Sequence, residues 1–267
     1  MRSIKELMDL SGRTVLITGG VGFIGKAMVD SVAELGANVV ILDRDLTTIT
    51  DVANSITKKY GVKAIPLQID LEEPEDLSKV KPFLETHCES LDILINNAAF
   101  VGTSNIEGWV TPFEQQSVET WRRALEVNLT AAFELTQACT EMLRNSSHGS
   151  VINVASTYGV VGPDMSLYEG TSMGNPAAYA ASKGGLIQLT RWLATTLGPD
   201  IRVNAISPGG IERGQPEVFQ QRYVARTPLG RMGTEEDFKG ITAFLASDLS
   251  SYVTGQNFLV DGGWTAW

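Results

Sequence analysis

"TVLITGGVGFIGKAMVD", residues 14–30, decides how the chain is read. A Val/Leu/Ile run passes into a cluster of glycines, and a helical apolar pattern follows. Strand, turn and helix in that order are the setting of a phosphate-cradling loop. Gly19, Gly22 and Gly25 remove side chains where the backbone must turn, approach a pyrophosphate and pack helix on strand. Phe23 and Ile24 open the helix, whose unpaired N–H groups and dipole favour an anion there. A plain structural turn would use the same glycines, so the surrounding chain has to arbitrate.

Working outward, short apolar runs alternate with helical patterns from end to end. Strands are expected at 14–19, 38–43, 63–70, 91–97, 149–156, 201–209 and 257–263. Helices are expected near 24–36, 45–60, 73–86, 113–145, 177–198 and 234–247. Continuous runs such as "NVVILD" suit strands buried on both faces, and strict alternation implies right-handed βαβ crossovers. The expected fold is therefore α/β: a doubly wound parallel sheet of seven strands flanked by helices. No linker or repeat interrupts residues 1–267, so one domain is expected. Two stretches, 157–177 and 208–232, read as long irregular loops, which in compact domains are usually functional.

Asp43 ends the second strand, about 20 residues past the glycine turn, where a carboxylate accepts hydrogen bonds from the adenosine ribose hydroxyls. It would repel the 2′-phosphate of NADP, so NAD is expected; the neighbouring Arg44 could hold that phosphate and keeps NADP as the lesser alternative. Asp70 ends the third strand and suits the adenine amino group, with the Leu71 N–H beside it. A turn or helix cap would use Asp70 equally well.

Composition narrows the partners. A net charge of −10 without any dense Lys/Arg cluster excludes a nucleic-acid binder of the usual basic kind. No apolar stretch reaches the roughly 18–20 residues of a membrane span, and the N-terminus lacks a signal-like apolar segment, so a cytoplasmic protein is expected. Cys88 and Cys139 read as free thiols rather than a disulfide, and His87 and His148 lack ligand-spaced neighbours, so no metal is expected.

"YAASK" sets Tyr179 and Lys183 four residues apart, on one face of a helix. A phenol is a poor base at neutral pH, and a nearby ammonium would lower its pKa and suit it to acid/base work. This pair joins an ordered series: "NNAA" (96–99), Asn128 in "VNLTAAF", "INVAS" (152–156), "NAISPGG" (204–210) and "TGQNFLVDGGW" near the end. Together these motifs resemble the short-chain dehydrogenase/reductases over residues 10 to 264. The resemblance implies a single-domain Rossmann fold and an NAD(P)-dependent alcohol–carbonyl oxidoreductase. It implies that Tyr179 exchanges the proton, Ser156 orients the reacting oxygen and Lys183 holds the nicotinamide ribose. Asn128 would link Lys183 to solvent through a water. Asn97 and Ala98 would line the cofactor channel, and Pro208, Gly209 and Ile211 would face the nicotinamide. A homotetramer or homodimer is implied, the 113–145 and 177–198 helices packing across a two-fold axis.

The departures from the family pattern are specific. Ala99 replaces the last glycine of the NNAG motif, and Glu212–Arg213 stands where a threonine usually follows the Pro-Gly turn. The glycine turn reads T-G-x-x-G-x-x-G, with Phe23 where the short branch of the family usually has glycine and in the spacing of its longer, epimerase-like branch. An epimerase would carry a further substrate domain. Additional residues separate Ser156 from Tyr179, and they are expected to wall the substrate pocket. With Tyr168 and Glu169 there and Arg213 in the later loop, that pocket reads as polar, suited to a sugar or polyol. A ketoacyl-type NADP-dependent reductase is the alternative enzyme, and a catalytically silent NAD-binding scaffold the alternative outside catalysis.

Overall fold

Strands and helices alternate along the chain in the computed structural model, which describes residues 1–101 and 106–267. The first half holds α1 (Ile4–Met8), β1 (Thr14–Thr18), α2 (Phe23–Glu34), β2 (Asn38–Asp43), α3 (Leu46–Tyr60), β3 (Ala64–Gln68), α4 (Pro74–Leu77), α5 (Val80–His87) and β4 (Ile93–Asn96). The second holds α6 (Val118–Leu125), α7 (Ala131–Asn145), β5 (Ser150–Val154), α8 (Ala177–Leu197), β6 (Arg202–Pro208), α9 (Glu217–Ala225), α10 (Lys239–Ala246) and β7 (Asn257–Val260). All pairings are parallel, and the seven-stranded sheet runs β3-β2-β1-β4-β5-β6-β7. The order reverses between β1 and β4, and the crevice beyond their carboxyl ends is where such sheets bind ligands.

Burial on both faces explains the unbroken apolar runs. Along β1, Val15 and Ile17 join a layer with Met28, Val29 and Val32 of α2, whereas Leu16 joins Leu84, Leu135 and Leu193 on the opposite face. One alternating strand thus supplies two cores, each closed by helices.

The sequence reading needs local corrections. Ser3 and Glu6 form a reciprocal capping box that starts α1, a helix the apolar periodicity did not announce. The helix expected at 73–86 breaks between α4 and α5. The one expected at 113–145 becomes α6 and α7 joined through a π-helical turn, Glu126–Thr130. The stretch 208–232 is not wholly irregular: it contains α9, whose Phe219 and Tyr223, one turn apart, are both buried. No helix among the described residues is long and apolar enough to cross a membrane, and both cysteines are free.

Candidate active site

The glycine turn is built as a cradle. Gly19 has φ +64°, which favours glycine, and a Cβ on Gly25 would collide with the carbonyl oxygen of Gly19. Gly22 caps α2 without any side-chain hydrogen bond, so the first N–H groups, on Phe23 and Ile24, face the crevice with no side chain of their own cap upon them. Thr18, which the sequence reading passed over, locks the turn to the neighbouring strand. Its Oγ1 accepts the N–H groups of Asn97 and Ala98, each at 3.0 Å. Asn97 returns the tie by donating from Nδ2 to the carbonyls of Thr18 and Gly19, both at 3.0 Å. Asn97 therefore shapes the cradle as much as it lines it. A glycine-lined turn, a helix start free of side-chain caps and an adjacent carboxylate form a donor set that fits a dinucleotide.

That carboxylate is Asp43. Its Oδ2 accepts from Val21 N at 3.4 Å and its Oδ1 from Arg44 N at 2.8 Å, which fixes it against the turn. Arg44 beside it is exposed. Asp70 takes the turn role: Oδ1 accepts from Glu72 N at 3.0 Å, while Leu71 is buried.

The chemical residues meet where β5 ends and α8 begins. Ser156 is buried and caps a 3-10 turn, accepting from Tyr158 N at 3.2 Å; this leaves its own hydroxyl proton free to donate. Tyr179, in the first turn of α8, is half-buried. Burial raises its phenol above the ordinary pKa, while a hydrogen bond with Ser156 and the positive charge of Arg213 pull the other way. Lys183, one turn on, is 1% exposed, and burial lowers its pKa to about 8. Its Nζ lies 5.8 Å from the Tyr179 ring centroid and donates to Val154 O at 2.8 Å. Desolvation of the phenolate is the largest influence on Tyr179 and outweighs the attractions on it.

Asn128 sits inside the π-helical turn, a kind of irregularity often found at functional sites. Its Oδ1 accepts from Phe100 N at 2.6 Å and its Nδ2 donates to Ser182 Oγ at 3.0 Å. The side chain thus anchors α8 beside Lys183 through protein contacts. Gly209 donates to Val260 O at 3.0 Å and Gly210 donates to the Tyr223 hydroxyl at 2.5 Å, holding the turn after Pro208. Ile211 directs its side chain into the core beside Ile206 and Phe238, and its carbonyl accepts from Gln215 Nε2 at 2.6 Å.

The wall made by the insertion is aromatic rather than mainly polar. Leu167 and Tyr168 pack with Phe219, Tyr223, Met232 and Trp264. Tyr168 Oη and Tyr158 Oη lie 2.8 Å apart, and Tyr223 and Trp264 stack with centroids 5.5 Å apart. The polar side chains that suggested a hydrophilic wall are engaged in holding the loop. Arg222 donates to the carbonyls of Ser166, Leu167 and Glu169, and Arg226 pairs with Asp164. The exposed side chain of Glu169 has no hydrogen-bond partner among the described residues. Arg213 lies with its guanidinium 4.3 Å from the Phe23 ring centroid.

This geometry has known counterparts. A family model described as enoyl-(acyl carrier protein) reductase matches residues 22–265. The 3-oxoacyl-[acyl-carrier-protein] reductase FabG of Aquifex aeolicus is 32% identical over 261 residues, covering 96% of this chain and 98% of the relative. A short-chain dehydrogenase of Leptospira borgpetersenii, solved with bound NAD+, is 36% identical with a TM-score of 0.84, covering 99% of this chain and 96% of that one. A gluconate 5-dehydrogenase of Burkholderia cenocepacia, solved with NADP and tartrate, is 28% identical with a TM-score of 0.87, covering 99% and 100%.

Proposed function

The chain belongs to the short-chain dehydrogenase/reductases, which interconvert alcohols and carbonyls with NAD(P), and on that premise we propose how its residues divide the work. The observation that carries the reading is the convergence of Tyr179, Ser156 and Lys183 at the carboxyl end of β5, across the sheet's switch point from the glycine cradle. Tyr179 passes a proton between its phenol and the substrate oxygen, while the Ser156 hydroxyl donates to that oxygen as its charge grows. Lys183 supplies a buried positive charge beside the phenol and reaches the nicotinamide ribose. Asn128 sets the α6–α7 turn through which Lys183 exchanges protons with solvent. When bound, the nicotinamide gives or takes the hydride. Burial keeps the phenol protonated, the form that gives a proton in carbonyl reduction, and the phenolate needed for alcohol oxidation becomes more available as pH rises.

Cofactor is held by the N–H groups of Phe23 and Ile24 at the pyrophosphate, with Gly19, Gly22 and Gly25 leaving room for it, and by Asp43 at the adenosine ribose. Asp70 and Leu71 take the adenine side; Asn97, Ala98, Pro208, Gly209 and Ile211 take the nicotinamide side. NAD is the preferred cofactor, because the fixed Asp43 carboxylate repels a 2′-phosphate. The exposed Arg44 favours a second reading, a ketoacyl-type reductase using NADP. Tyr158 and Tyr168, with phenol groups set in an aromatic wall, suit a compact hydroxylated ring such as a sugar or a cyclic polyol. Exposed Trp121 and Trp192 on α6 and α8 support a homodimer or homotetramer built across those helices, in the cytoplasm.

Affinities for NADH and NADPH, followed by turnover on a panel of sugars, polyols and ketoacyl thioesters, test these assignments together. Tighter NADPH binding with thioester turnover supports the second reading. NADH binding with no hydride transfer on any substrate supports the silent scaffold.

A further inference from the structure

Phe23 and Arg213 are both departures from the family pattern, and the structure brings them together. Phe23 is the first residue of α2 and is 60% exposed, with no aromatic neighbour among the described residues. A phenylalanine so placed gains little from the core. Arg213 comes from the loop after β6, and its guanidinium lies over that ring at 4.3 Å. Its Nε reaches Glu235 only at 3.5 Å, a long pairing, and its backbone N donates to Gln215 Oε1 at 2.7 Å. The ring therefore fixes where the charge sits: beside the N-terminus of α2, at the residue that follows Gly22 of the cradle, and near enough to Tyr179 for its charge to act on that phenol.

We propose that Phe23 and Arg213 act as one unit, Phe23 being the platform that holds Arg213 as a side-chain cation for the cofactor's pyrophosphate. This rests on the dinucleotide reading of the cradle. Backbone N–H groups at a helix start neutralise a diphosphate only in part, and a planar guanidinium adds a charged, two-pronged donor. The ring replaces a glycine in the turn and the arginine replaces a nearby threonine, so each departure makes the other useful. Ring and cation also join the loop after β6 to the start of α2, so both ends of the cleft are tied to the same bound molecule.

The test uses the intact protein and three probes: ADP-ribose, adenosine and NADH, titrated at two salt concentrations. Arg213→Gln is expected to weaken ADP-ribose and NADH about tenfold, to leave adenosine within twofold, and to flatten the salt dependence. Phe23→Leu is expected to weaken ADP-ribose about threefold, and to add nothing in the Arg213→Gln background. An Arg213→Gln protein that binds ADP-ribose as tightly as the parent overturns the proposal. So does an equal loss for adenosine and ADP-ribose, or additive effects in the double variant. Failure of the parent protein to bind either ADP-ribose or NADH would instead overturn the dinucleotide reading, and the proposal with it.

Discussion

The two walls of the crevice are made in different ways. The nucleotide wall is mostly local: β1, the glycine turn, α2 and Asp43 lie within thirty residues, from Thr14 to Asp43, and are held by backbone geometry and ties within that stretch such as Val21 to Asp43, with Thr18 to Asn97 as the long-range anchor. The substrate wall is assembled from distant segments. Arg222 grips the insertion from across α8 and β6, and Trp264, from the far C-terminus, meets the rings of Tyr158 and Tyr223. A locally encoded wall can serve one cofactor throughout a family, and a wall of long-range contacts is free to vary with substrate.

Substitutions can break or sharpen that contrast. Tyr179→Phe, at the joint of the two walls, is expected to lower turnover by about 10²–10⁴-fold while leaving NADH affinity nearly unchanged. Single-turnover rates and NADH fluorescence titration measure the two separately, and surviving turnover would contradict the proton role. Gly25→Ala strikes the nucleotide wall. The added Cβ meets the Gly19 carbonyl, so a stability loss of roughly 1–3 kcal/mol and a matching loss of NADH binding are expected. Gly22→Ala, whose Cβ would stop 3.2 Å from the same oxygen, should lose much less. Equal losses would show that the cradle is less tightly built than its geometry implies.

Arg222→Met strikes the substrate wall alone. It removes the donor to three carbonyls, and KM for substrate is expected to rise roughly tenfold with NADH affinity unchanged. A change in both would deny that the walls are separable. Lys183→Met gives the smallest signal, read as thermal stability against pH. Burial holds Lys183 near pKa 8 in the fold against 10.5 when free. The unfolded chain therefore binds the extra proton between those values, and stability rises with pH across that window. Below pH 8 the penalty of the buried charge is fully present. The parent should accordingly gain about 1 kcal/mol on the variant between pH 8 and 9.

The same contrast governs what the sequence disclosed. The strand runs, the glycine turn, Asp43, and the Tyr179–Lys183 spacing were all legible, because each depends on near neighbours or on a helical repeat. The aromatic wall was not. In sequence Asp164, Arg222 and Arg226 are polar residues of two separate stretches, and only the folded chain shows them bound to carbonyls and to one another. The π-helical turn was hidden too, since inserting one residue in a helix leaves the apolar pattern on either side intact. Tyr179's raised pKa follows from burial, which four-residue spacing cannot report.

Arg222 also sets a rule for anyone transplanting specificity. The insertion around Met165–Tyr168 and the helix Glu217–Ala225 are separated in the gene by all of α8 and β6, yet one guanidinium and one ion pair make them a single part. A chimera given only the insertion would receive three carbonyls without their donor and an aspartate without its arginine. The two segments have to be grafted together.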